Sequence, residues 1–253
     1  MKNIKKFFVY VGTPRAKNSN TLRYISNLLS EIKICMGDEN LKINIFHPQN
    51  SFINKCLGCE RCFFEGRCFQ DKKDDMGVIK KEMLSSDIII FASPIYFVNV
   101  SGDMKIFLDR ISNLAHLLPL RGKAGICILS SCGNGVHHTL DYMNTVMSFL
   151  GLYVIDKYNV SHYTEEQLDK NPDYMKDKIS ESATKIIECL KKSSSRSNET
   201  LEIIYKNLKN YIENSKELNK NEYKYWKNNN MLDFKTYEQL ISKKTNKNLW
   251  NLK

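Results

Sequence analysis

Short apolar runs and longer amphipathic stretches alternate through residues 1–160 of the chain. Runs at 6–12 (KFFVYVG), 41–47 (LKINIFH), 87–93 (DIIIFAS), 124–131 (AGICILSS) and 153–160 (YVIDKYNV) have the length and the β-branched or aromatic content of strands. The third, with three consecutive isoleucines, reads as a central strand covered on both faces. Between the runs, helical spacing predicts helices over 20–36, 75–85, 102–118, 138–150 and 164–192. Strict alternation of strand and helix gives an α/β fold built round a parallel sheet, and the doubly wound arrangements satisfy it most economically. In such sheets ligands bind beyond the carboxyl ends of the strands, so the loops after the first, third and fourth strands carry the interest.

The pattern changes near residue 192. A polar SSSRSN run leads into a segment without glycine or proline, rich in Lys, Asn, Glu and Tyr. There Leu201, Ile204, Tyr205, Leu208, Tyr211 and Ile212 recur at helical spacing. A second apolar set follows at Tyr225, Trp226, Met231, Leu232, Phe234, Tyr237, Leu240 and Ile241, and Trp250 adds another aromatic ring. The chain therefore divides into a domain over 1–192 and a helical C-terminal extension over 193–253, which either folds back on its own domain or wraps a partner subunit.

Composition narrows the class. With 253 residues, 42% hydrophobic and 11% aromatic, the chain can bury a full core, which excludes a disordered or collagen-like protein. No apolar run approaches the ~18 residues of a membrane span, and the first lysines lead straight into a strand-like stretch with no small-residue cleavage site, so a cytoplasmic protein off the membrane is expected. The formal charge of +10 is split evenly between 1–192 and the shorter extension. In the extension, asparagines dilute the lysines and glutamates interrupt them. This is a solvated surface and not a nucleic-acid stripe.

The loop after the first strand, Gly12, Thr13, Pro14, Arg15, then Lys17, Asn18, Ser19, Asn20 and Thr21, brings hydroxyls, amides and a guanidinium to a helix N-terminus, as a phosphate dianion requires. Neither a G-x-G-x-x-G nor a G-x-x-x-x-G-K-[ST] pattern is present, so a mononucleotide phosphate fits better than a dinucleotide or a triphosphate. The alternative is that Ser19 and Thr21 only cap the helix. After the third strand, Ser93, Pro94, Ile95, Tyr96, Phe97, Val98, Asn99 and Val100 offer a stiff turn, two rings and main-chain amides suited to a flat heteroaromatic ring, unless Tyr96 and Phe97 are merely core. The loop Ser131, Cys132, Gly133, Asn134, Gly135 would line the other side, where glycines permit close backbone approach, and His137 and His138 then open a helix.

Eight cysteines without a secretion signal read as thiols, and four of them cluster. Cys56, Cys59, Cys62 and Cys68 have the spacing C-x-x-C-x-x-C-x(5)-C in a loop over 51–70 that also holds Gly58 and Gly66. Three cysteines at two-residue intervals with a more distant fourth favour a [4Fe-4S] cluster, while unmetallated thiols and an all-cysteine zinc site stay open. Cys35, Cys127 and Cys189 fall in helix or strand runs and are expected to be buried apolar thiols.

The segments GTPRAKNSNT, CLGCERCFFEGRC with DDM shortly after, and SPIYFVNVSGDMKIFLDR, in this order over residues 4–190, closely resemble the flavodoxin-like NADPH-dependent FMN reductase family, and within it the iron-sulfur flavoproteins. The resemblance implies a flavodoxin-like, doubly wound, five-stranded parallel sheet of order 2-1-3-4-5. It also implies FMN with its phosphate at Thr13, Arg15, Ser19, Asn20 and Thr21, its ring against Pro94, Ile95, Tyr96 and Phe97, and Ser131, Gly133 and Asn134 nearby. Thr13 stands where the family usually has serine, and Val98 where glycine is frequent. A homo-oligomer, dimer or tetramer, in which cluster and flavin meet across a subunit interface is also implied. Three activities follow as alternatives. The first is electron relay between the cluster and FMN, with NAD(P)H or a ferredoxin-like carrier as donor. The second is NAD(P)H-dependent reduction of FMN, quinones or nitro compounds without a cluster. The third is a non-enzymatic flavin or metal binder that senses oxidation.

Overall fold

The computed structural model describes residues 4–15, 19–131, 133–160, 172–191 and 196–243. Strands β1 (Lys5–Val11), β2 (Leu41–Phe46), β3 (Ile88–Tyr96), β5 (Ala124–Ser130) and β6 (Tyr153–Val160) form one sheet of order β2-β1-β3-β5-β6, all pairs parallel. This is the expected order. The structure adds a two-residue strand β4 (Asn99–Val100), which pairs antiparallel with the end of β3. Strand β3 runs three residues further than expected, because Ile95 and Tyr96 belong to that hairpin.

Side chains alternate across the sheet, and each face is covered. On one face Phe7, Val9, Val11, Ile88, Ile90, Ala92, Ile126 and Ile128 pack beneath α1 (Asn20–Met36) and α6 (Pro172–Lys191). On the other, Phe8, Tyr10, Ile89, Phe91, Cys127 and Leu129 meet α3 (Met76–Ser85), α4 (Gly102–Ile111) and α5 (Val136–Phe149). Coverage of both faces explains why the central runs are continuously apolar. The helix expected over 102–118 stops at Ile111. A 3-10 turn at Ser112–Leu114 follows, then a bend at Leu118 (φ 45°) before Pro119, whose ring bars the helical conformation at the preceding residue. Of the helix expected over 164–192, residues 164–171 and 192 lie outside the described residues, as do 193–195 and Trp250.

The described part of the extension folds back on its own chain. Helices α7 (Glu199–Asn214), α8 (Lys220–Asn228) and α9 (Tyr237–Ser242) put Leu201, Tyr205, Ile212, Trp226, Tyr237 and Leu240 into the same core as Leu117, Met143 and Met147. Polar anchors fix this packing. Tyr237 Oη donates to the Gly151 carbonyl (2.6 Å) and accepts from Gly122 N–H (3.2 Å). Arg121, itself buried, donates to Tyr225 Oη (3.1 Å) and Asn229 Oδ1 (3.2 Å). Among the described residues no helix is long and apolar enough to cross a membrane.

Candidate functional site

The carboxyl end of β1 is pressed against the start of α4. A Cβ on Gly12 would stand 2.6 Å from Met104 Cβ and 2.8 Å from its backbone nitrogen, so only glycine fits. Ser101 caps α4 by accepting from Met104 N–H (3.1 Å), and its hydroxyl donates to the Gly12 carbonyl (2.5 Å). Ser93 Oγ in turn accepts from Ser101 N–H (3.1 Å). Buried serines thus tie the loops after β1 and β3 together.

Beside them Thr13, Ser19 and Thr21 are buried, Asn20 is half-buried and Arg15 is exposed. Ser19 caps α1, accepting from Leu22 N–H (3.3 Å), and Thr13 Oγ1 accepts from Arg15 N–H (3.3 Å). The Thr21 hydroxyl shares a 2.5 Å hydrogen bond with Ser130 Oγ at the end of β5. The expected phosphate residues therefore gather at one helix N-terminus, where the backbone dipole and the first-turn N–H groups favour an anion. Lys17 and Asn18 lie outside the described residues.

The β3–β4 hairpin forms the next wall. Its two-residue turn is Phe97 (φ 47°) and Val98 (φ 69°), with positive φ at both positions, as a type I′ turn requires. Asparagine and glycine are the usual occupants, so the departure noted at Val98 falls where a β-branched residue is strained. The turn is held by α5: Thr139 Oγ1 donates to the Val98 carbonyl (3.2 Å), and a Cβ on Gly135 would lie 2.7 Å from Val98 Cα. Pro94 is buried and Ile95 half-buried, whereas Tyr96 is 46% and Phe97 fully exposed. Those two rings are not core. On the far side Ser131 Oγ accepts from Gly133 N–H (3.1 Å), while Gly133, Asn134, His137 and His138 are exposed and Cys132 lies outside the described residues.

The cysteine loop is anchored from beneath. Arg110 sits on the apolar stripe of α4 with its side chain fully buried, and donates to Asp74 (2.5 and 3.3 Å), to Asp71 Oδ1 (2.8 Å) and to the Asn54 carbonyl (2.8 Å). Lys80 adds a 2.9 Å pair to Asp71. Asp75 Oδ2 accepts from Phe52 N–H (2.7 Å), closing the neck of the loop. Within it, Glu60 (φ 56°) and Gly66 (φ 73°) bracket a single helical turn, α2 (Arg61–Glu65). Cys56 and Cys59 are exposed, and Cys62 and Cys68 half-buried. Burial pushes the Cys62 thiol up, negative charge at Cys68 and Cys56 adds to this, and Lys80 opposes it. Among the described residues no three His, Cys, Asp or Glu side chains stand close enough to share one metal ion.

Of the remaining described cysteines only Cys127 is buried, its thiol pushed up to about 12 by loss of water. Cys35 is exposed on the outer side of α1, against expectation, and Cys189 is half-buried, packed against the core beneath α1 and α6. The Arg110–Asp71–Lys80 anchor was missed from sequence, although a lone arginine among Met104, Phe107 and Ile111 at helical spacing was a usable signal.

A doubly wound sheet whose carboxyl edge joins a hydroxyl-lined helix N-terminus to an exposed aromatic hairpin has room for a mononucleotide, and the family match makes the class a flavin-dependent oxidoreductase. Residues 6–166 match the NADPH-dependent FMN reductase family, and the chain belongs to it. Its curated relatives include an iron-sulfur flavoprotein of Archaeoglobus fulgidus, 32% identical over 220 residues, covering 86% of this chain and 95% of the relative. Another, from Methanocaldococcus jannaschii, is 29% identical over 164 residues, covering 64% and 81%. The fold is shared with an FMN-dependent NADH-azoreductase from Bacillus anthracis in complex with FMN (TM-score 0.59, 14% identity, 72% of this chain and 99% of that one). It is also shared with an apo NADH:FMN oxidoreductase (TM-score 0.52, 18% identity, 71% and 87%).

Proposed function

We propose that this chain binds FMN at the carboxyl edge of its sheet and holds a [4Fe-4S] cluster in the loop over 51–70, as an electron-transfer oxidoreductase. The observation that carries the reading is the double duty of α4. Its first turn is tied to the flavin loops through Ser101 and Gly12, and Arg110, near its last turn, holds both ends of the cysteine loop. Ten helical residues span about 15 Å, so one rigid element joins the two sites at short range. The donor chemistry suits a cluster: Cys56, Cys59, Cys62 and Cys68 are four free thiols in one loop bent at Gly58, Glu60 and Gly66, and they would be its ligands once the loop draws in around it. The relatives cited carry the name iron-sulfur flavoprotein.

When bound, FMN exchanges two electrons as hydride or one at a time and the cluster exchanges one, so together they join two-electron to one-electron partners. The chain's own work is positioning. Thr13, Ser19, Asn20, Thr21 and the α1 N-terminus receive the phosphate, with Arg15 closing over it as a charge-assisted donor. Pro94 and Ile95 floor the ring site, Tyr96 and Phe97 exclude water from it, and Ser131, Gly133 and Asn134 present backbone to the ring edge. NAD(P)H or a ferredoxin-like carrier is the donor. The exposed Phe52, Leu57, Phe64 and Phe97 supply apolar surface for a homo-oligomer. The chain divides into a flavin unit over 1–192 and an extension over 193–253, whose described helices buttress that unit.

A second reading, an NAD(P)H-dependent reductase of FMN, quinones or nitro compounds without a cluster, draws support from the spacing of the thiols, since among the described residues no three metal-ligating side chains stand close enough to share one ion. The test is to purify the protein without oxygen and count iron and acid-labile sulfide per FMN. About four of each per flavin is the expected result. Flavin without iron, reduced rapidly by NAD(P)H, would establish the second reading instead.

A further inference from the structure

His116 lies in the segment between α4 and β5 and touches both the cysteine loop and the C-terminal extension. Its ring centroid is 6.0 Å from that of Phe63, the residue after Cys62, and 5.4 Å from that of Tyr211 on α7. Its Nδ1 stands 3.0 Å from Glu222 Oε1, and its carbonyl accepts from Trp226 Nε1 (2.7 Å). On the same helix α8, Asn221 donates to the Phe64 carbonyl. Glu222 is only 5% exposed, and its other oxygen, Oε2, is buried without a protein partner. Glu222 and Cys62 line one small cavity of about 20 Å3, partly open to solvent, together with Asn113, Asn221 and Tyr225.

A carboxylate in such a place is costly. Burial of a charged or half-satisfied polar group opposes folding, and a leucine or methionine would fill the position without that penalty. The extension has apolar anchors enough in Tyr205, Trp226 and Tyr237 to hold itself down. What Glu222 adds is a fixed orientation for His116, and through the ring contact with Phe63 a fixed place for the turn that carries Cys62.

We propose that Glu222 is a positioning residue of the redox centre, holding Cys62 in place through His116 and Phe63, so that the C-terminal extension completes the cysteine site. This rests on the reading of the four cysteines as cluster ligands. The geometry is asymmetric: Cys62 lines the cavity under α8, whereas Cys59, on the same loop, is exposed and does not.

The test uses the full chain with E222A, E222Q and H116A. In iron-free protein loaded with FMN, alkylation of Cys62 is compared with that of Cys59 by mass spectrometry. E222A and H116A are expected to speed Cys62 labelling roughly fivefold, the factor that one ordinary intramolecular hydrogen bond is worth, and to leave Cys59 unchanged. E222Q, which keeps an acceptor for His116, restores protection, and the E222A/H116A double variant is no worse than either single one. In iron-loaded protein, the EPR line shape of the reduced centre changes in E222A and returns in E222Q. Equal Cys62 labelling in wild type and both single variants, or equal acceleration of Cys59, overturns the proposal. H116A decides the matter if E222A does not fold. Wild-type protein that binds no iron would refute the cluster reading by itself, and the labelling of Cys62 still judges the positioning role.

Discussion

Asp74→Asn probes the anchor beneath the cysteine loop. The Asp74 side chain is fully buried and accepts from Arg110 (2.5 and 3.3 Å), from the Asn54 backbone (2.9 Å) and side chain (3.3 Å), and from Met76 N–H (3.0 Å). Burial alone would raise its carboxyl, but the Arg110 guanidinium and the two backbone donors outweigh that and hold it below the ordinary carboxylate range. An asparagine turns an NH2 group toward donors on one side, and Arg110 is left with Asp71 as its one carboxylate. Removing one partner of a buried pair costs about 3–5 kcal/mol, and because Asp71 stays, the lower end applies. In a chain of this size each kcal/mol shifts Tm by roughly 2–4 °C, so a fall of about 6–12 °C is expected at pH 7 in a melt followed by circular dichroism. The pH dependence has a definite sign. A carboxyl whose folded pKa is depressed contributes stability that is fully present above its unfolded value of about 3.9 and lost as pH falls through the folded value. The gap between wild type and Asp74→Asn should therefore close in acid. A fall under about 3 °C at neutral pH, or a gap that does not narrow as pH falls below the unfolded value of about 3.9, would refute the argument.

Other outcomes follow from the same contacts. Arg15→Ala removes an exposed guanidinium, so the melt of the FMN-free protein should not move while the Kd for FMN, read by fluorescence quenching, rises about tenfold or more. Val98→Gly trades a half-exposed side chain for release of a strained positive φ, and urea unfolding should show no loss of stability; a loss above about 1 kcal/mol would mean the turn is not strained. Tyr237→Phe leaves the Gly151 carbonyl and the Gly122 N–H without their shared hydroxyl, and should cost about 1–3 kcal/mol in urea with FMN affinity unchanged.

Much of the fold was legible because burial on both faces leaves a plain mark. Strands such as Ile88–Tyr96 and Ala124–Ser130 are apolar almost throughout, and their order follows from alternation with amphipathic helices. The errors lie where local pattern and tertiary context disagree. Residues 112–118 keep a helical spacing of apolar positions, yet the α-helix gives way at Ile111 to a 3-10 turn, and Pro119 bars helical continuation through Leu118. The β4 hairpin escaped notice because its turn is Phe-Val and not the Asn-Gly that announces such turns. Cys35 looked buried by periodicity but falls on the outer side of α1, near the helix end.

The candidate site was legible in its residue types and not in its linkages. Hydroxyls after β1, rings after β3 and four closely spaced cysteines are each visible as chemistry, because a phosphate, a flat ring and a soft metal centre demand particular side chains at short spacing. What joins them depends on pairs far apart in the chain: Ser101 with Gly12, Arg110 with Asp71 and Asp74, His116 with Glu222. No local pattern encodes such a pair, since either member alone reads as an ordinary polar residue. One feature does betray them: a charged side chain at a position whose helical neighbours are all core. Arg110 lies among Met104, Phe107 and Ile111, and Glu222 beside Tyr225 and Trp226. Burying a charge costs free energy unless a partner meets it, so each such residue points to a partner elsewhere in the chain. In this protein both partners lie at or against the cysteine loop, which makes the loop one of the places where the C-terminal helices pack on the rest of the chain.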